Sequence, residues 1–137
     1  MKPDSDPIPP PGKPNMWEIE QAILKASQQL AGIYRLDAFR FVLAAVGHTQ
    51  QIIQEQRHIS GEELCRGLVD QAQEHFGPLA APVLSYWGIN STTDVGNIVF
   101  ALIDQGVLGK TDKDRKMDFV NLFDLKREIN ETYNYFR

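Results

Sequence analysis

Apolar residues recur along the chain at three- and four-residue spacings, in stretches bounded by residues that start or stop helices. The clearest stretch runs from Gly88 to Gly106. Ser91 stands three residues before Asp94, the arrangement in which a side chain accepts an orphan helix N–H and an acid faces the positive helix end. Val95, Ile98, Val99, Leu102 and Ile103 then form the stripe of a helix packed on a core. Gly106 is placed to end it in the left-handed conformation that glycine adopts most cheaply.

The same signals set out the other elements. Asn15, with Glu18 three residues on, caps a first helix whose stripe is Met16, Ile19, Ile23, Ala26 and Leu30. A second helix begins near Asp37 and runs to about Arg57. It is apolar nearly all round in its first half (Ala38, Phe39, Phe41, Val42, Leu43, Ala45, Val46) and weakened by Gly47. Ser60 and Glu63 open a third helix, with Leu64, Leu68, Ala72 and Phe76 inward. A short helix spans Leu79 to Trp87, with Pro82 in its first turn. Asp124 caps a last one, with Leu125, Ile129, Tyr133 and Phe136 on one side.

The expected fold is therefore mainly α, about six helices. Short extended pieces are expected at His58–Ile59, at Val107–Leu108 and from Asp118 to Phe123. Helix, strand, charged loop and strand at the carboxyl end predict a winged-helix-like domain over residues 16–137, with a small C-terminal β-hairpin and flanking helices.

Residues 1–15 (MKPDSDPIPPPGKPN) hold six of the eight prolines and predict a disordered tail. Such a tail is a linker or a ligand for an aromatic groove.

The run from Phe76 to Phe119, FGPLAAPVLSYWGINSTTDVGNIVFALIDQGVLGKTDKDRKMDF, resembles the signature of a small uncharacterised family of bacterial conserved hypothetical proteins. Ala38-Phe39 and His58-Ile59-Ser60-Gly61 fit it too, so the resemblance covers about Tyr34 to Leu125. It implies one coherent domain and brings no activity, ligand or catalytic residue.

Composition narrows the function. A formal charge of −4 gives no general attraction to nucleic acid or anionic membranes. No apolar stretch approaches membrane-spanning length and no hydrophobic signal segment stands at the amino end, which together predict a cytoplasmic protein. Cys65 is the only cysteine and reads as a small core residue. His48, His58 and His75 lack metal-ligand spacing, Glu62 and Glu63 suit a helix start, and Gly106 and Gly109 do not make a phosphate loop. No cofactor, no metal and no enzymatic activity are expected.

Two binding readings remain. A winged-helix transcriptional regulator would present Thr92–Gln105 to the major groove, but that helix has no Lys or Arg and carries Asp94 and Asp104. Its phosphate contacts would fall to the loop residues Lys110, Lys113, Arg115 and Lys116, among Asp112, Asp114 and Asp118. The favoured reading is a non-catalytic protein-interaction or regulatory module, its partner a second copy or another protein. Phe100 widens the apolar arc of its helix, and with Tyr133 and Phe136 forms the expected partner surface.

Overall fold

The structure is a computed structural model that describes residues 15–53, 59–109 and 115–133. The described chain is mainly helical: α1 (Met16–Gln29), α2 (Leu36–Ile53), α3 (Gly61–Phe76), α4 (Ala80–Tyr86), α5 (Thr92–Asp104) and α6 (Leu125–Thr132). Two 3-10 turns, Gly77–Leu79 and Lys116–Phe119, join them. Three helices start on the expected side-chain locks. Asn15 with Glu18, Ser60 with Glu63 and Ser91 with Asp94 each exchange two hydrogen bonds between cap and third helical residue. Asp124 accepts the Arg127 N–H at the start of α6.

α5 lies at the centre, packed on α1, α2, α3 and the 116–119 turn, while α3 also carries α2, α4 and α6. Phe39, Ile23, Leu68, Leu84, Ile89, Ile98 and Leu102 are fully buried between them. Two glycines let the helices close. A Cβ on Gly67 would lie 1.9 Å from Thr49 Oγ1, so α2 and α3 meet nearly backbone to side chain there. A Cβ on Gly96 would lie 2.5 Å from that of Phe119, whose ring drops onto α5 through this notch and meets Phe100 edge-on.

The C-terminal β-hairpin is not formed: no strand occurs among the described residues. The N–H groups of Val107 and Leu108 both return to the Leu102 carbonyl, closing α5 with a turn instead of opening a strand. Asp118 accepts the Arg115 N–H and starts the 116–119 turn. Asn121 takes a left-handed conformation (φ +49°), and Asn121 and Leu122 donate their N–H groups to Thr93 and Thr92. A two-stranded ribbon is marginal in water. Burying a phenylalanine side chain contributes about 1.5–3 kcal/mol, and the turn seats Phe119 in the Gly96 notch with its neighbours' amides still satisfied. The strand-like run from Asp118 to Phe123 thus marks a turn with one inward anchor. Of the other expected strands, Ile59 is not extended ladder, and His58 lies outside the described residues, as do residues 54–57 of the expected second helix and the proline-rich segment 1–14.

Three mid-helix glycines, Gly47, Gly67 and Gly96, make a test of sign. Gly47→Ala meets nothing within 4 Å and should stabilise by up to about 1 kcal/mol through helix propensity. Gly67→Ala and Gly96→Ala gain the same propensity but overpack, so each should lower stability by about 1–3 kcal/mol. Urea unfolding of the three variants distinguishes a close-packed seam from a loose one.

Candidate functional site

The amino end of α5, where a recognition helix would meet DNA, is turned inward. Asp94 accepts hydrogen bonds from the Asn90 N–H (2.8 Å), the Ser91 N–H (3.1 Å) and the Tyr34 hydroxyl (2.5 Å). The Asn97 amide donates to the same Tyr34 oxygen at 3.0 Å. Thr92 is fully buried and, with Thr93, accepts amides of the 121–122 turn. The polar groups that sequence alone offers for base reading are thus bonded within the chain. Burial pushes the Tyr34 phenol up to about 12, with Asn97 opposing the rise and Asp94 reinforcing it.

Tyr34 also ties together two connections. Arg35 donates its backbone N–H to the Trp87 carbonyl, and its Nε donates to the Tyr86 carbonyl. Gly88 adopts φ +99° and a Cβ there would lie 3.0 Å from the Tyr34 ring and 3.1 Å from the Ile33 carbonyl, so only glycine fits. The outer side of this junction is apolar and open. Ile33 and Tyr86 are 69% and 66% exposed, and the Arg35 guanidinium stacks 4.1 Å above the Tyr86 ring.

The expected partner residues do not share one surface. Phe100 is 8% exposed and forms, with Val46, Leu64, Val99, Ile103 and Phe119, the wall of a cavity of about 200 Å³ at the amino end of α3. Ile59 and Gly109 also line it. Tyr133 follows the last turn of α6 in extended conformation, and its hydroxyl approaches Gly77 at the other end of α3. The 16 residues of α3 put roughly 24 Å between the two. Phe136 lies outside the described residues. Of the wing residues, Arg115 and Lys116 are exposed, while Lys110 and Lys113 also lie outside them.

Cys65 is buried at the start of α3, and burial pushes its thiol up to about 12 against the opposing pull of Arg66. At neutral pH it is protonated and shielded, which removes it as a nucleophile. The closest grouping of ligand-type side chains is elsewhere. His48 on α2 meets Asp70 on α3 (Nε2 to Oδ2, 2.8 Å), with Glu74 one turn further. Sequence spacing shows Asp70 and Glu74 on one helix face; it gives no sign of the histidine that the neighbouring helix brings to them.

Among the described residues no helix is long and apolar enough to cross a membrane. Comparison with protein-family models, curated proteins and solved structures finds no match.

Both raised pKa values have a measurable sign. Tyr34 and Cys65 are neutral in the fold above the pH at which they ionise in the unfolded chain, so each adds stability below its unfolded pKa. That contribution is lost as pH rises toward about 12. Ultraviolet titration should show one tyrosine ionising late, and Tyr34→Phe should remove that step. A thiol reagent at neutral pH should leave Cys65 unmodified until the chain is unfolded.

Proposed function

We propose that this chain is a non-catalytic protein-interaction module acting in the cytoplasm, and that it meets its partner through the junction of α1, α2 and α4. The carrying observation is the Ile33–Arg35–Tyr86 ridge. Two large apolar side chains stand open to solvent there, and the guanidinium already stacked on the tyrosine has little freedom left to lose on binding. Tyrosine and arginine are the residue types that dominate measured interface energies. The ridge rests on Arg35 and Gly88 bonds to fixed backbone, so it is presented by the core and not by a loose loop.

A winged-helix regulator reading DNA has less support. α5 carries no Lys or Arg, and its first-turn hydroxyls and Asn97 are bonded internally. The basic residues from Lys110 to Lys116 would have to hold the phosphates, among Asp112, Asp114 and Asp118.

Partner capture with three forms of the full chain separates these readings. Ile33→Ser with Tyr86→Ser should weaken partner binding by at least about 2 kcal/mol, roughly thirtyfold, with the melting temperature nearly unchanged because both side chains are exposed. Lys113, Arg115 and Lys116 changed together to alanine should bind as the parent does. Duplex binding that is lost in that triple variant, and that falls with salt at a log–log slope of about −3 for three phosphates, would reverse the choice.

A further inference from the structure

The seam between α2 and α3 ends in a group of side chains that the interaction reading leaves unused. Thr49 fills the space over Gly67 and donates its hydroxyl proton to the Ala45 carbonyl at 2.7 Å. One turn along, the buried Gln71 donates its amide to the Phe41 carbonyl at 3.2 Å. These two buried contacts fix the relative position of the helices. His48 and Asp70 are their immediate chain neighbours, at the point where the seam reaches solvent, and Glu74 follows Asp70 by one helical turn.

We propose that His48, Asp70 and Glu74 form a binding site for one divalent transition-metal ion of the zinc or cobalt class, which staples α2 to α3. One ring nitrogen and one oxygen from each carboxylate already lie within 4.8 Å of one another. Zinc bonds of about 2.0–2.2 Å to such ligands set spacings of roughly 3.3–3.5 Å in a tetrahedron. That lies between the 2.8 Å of the His48–Asp70 contact and the 4.8 Å outer limit. The ion therefore enters by small rotations of side-chain ends, without moving either helix.

The donor set fits the class. An imidazole favours zinc, cobalt or nickel over calcium and magnesium, and two carboxylates balance a double positive charge. Among the described residues neither carboxylate is paired with Lys or Arg: Asp70 faces His48, and Glu74 has no ion-pair partner. Three protein ligands on a partly exposed seam leave the remaining coordination to water.

The test is titration of the full chain with zinc chloride by calorimetry, and with cobalt(II) followed by visible absorption. One ion should bind per chain and raise the melting temperature. His48→Ala, Asp70→Asn and Glu74→Gln should each weaken binding by at least about tenfold. His58→Ala and His75→Ala should leave it intact. In the parent chain, zinc should shift the His48 imidazole resonances and leave those of His75 in place, which tests the site without any substitution. Absence of one-to-one binding at millimolar zinc, or binding that survives His48→Ala, overturns the proposal.

Discussion

A single carboxylate holds the centre of this molecule. Asp94 takes the Asn90 and Ser91 amides, which α5 would otherwise leave unsatisfied at its start, and takes the Tyr34 hydroxyl from the α1–α2 connection as well. A buried phenol without a partner costs free energy, and the two amides just ahead of α5 find no acceptor in the helix backbone. One acceptor serves all three groups and also fixes the direction in which α5 leaves the Gly88 turn. From there α5 can be apolar nearly all round, because its polar end is already satisfied. Its sides are then covered by α1, α2, α3 and the Phe119 turn.

The same economy of space operates between α2 and α3. Gly67 gives up helix propensity so that Thr49 can sit against the backbone of α3, and the close approach sets which side chains meet where the seam opens. His48, Asp70 and Glu74 occupy that position because Thr49 and Gln71 are buried beside them, not because any local pattern selects a ligand set. Elsewhere on the core, Arg35 and Gly88 fix the junction of α1, α2 and α4 and leave Ile33 and Tyr86 facing water. One set of packing contacts thus presents two chemically different surfaces, one ionic and one apolar. α2 contributes to both.

The duplex-reading alternative shows how much depends on the direction a helix faces. Thr92, Thr93 and Asn97 are residue types that hydrogen-bond bases, and their order along α5 is suitable. Thr92 and Thr93 are spent on the turn that replaces the hairpin, and Asn97 on Tyr34. A helix with its first-turn donors and acceptors bound internally would have to surrender them before touching a groove.

Local chemistry by itself determined the helices. Asn15, Ser60, Ser91 and Asp124 mark four starts, and the inward stripes of α1, α3 and α5 follow from apolar spacing, except that Met16, expected in the α1 stripe, stands 71% exposed at the helix start; capping and periodicity act within a few residues of chain. The inward position of Cys65 was legible on the same grounds. What the chain could not declare locally was decided by packing across it. Asp118 to Phe123 reads as a strand-like apolar run, yet the notch at Gly96, some twenty residues earlier, makes a turn with a buried Phe119 the better use of it. Phe100 looks like an open anchor on its helix and becomes a cavity wall once that turn covers it. Tyr133, expected beside it, falls at the other end of α3. His48 gains its carboxylates only because α2 and α3 close over Gly67. Hydrogen bonds to near neighbours can be read from spacing; contacts between residues 20 to 60 apart exist only when the whole core has chosen its geometry.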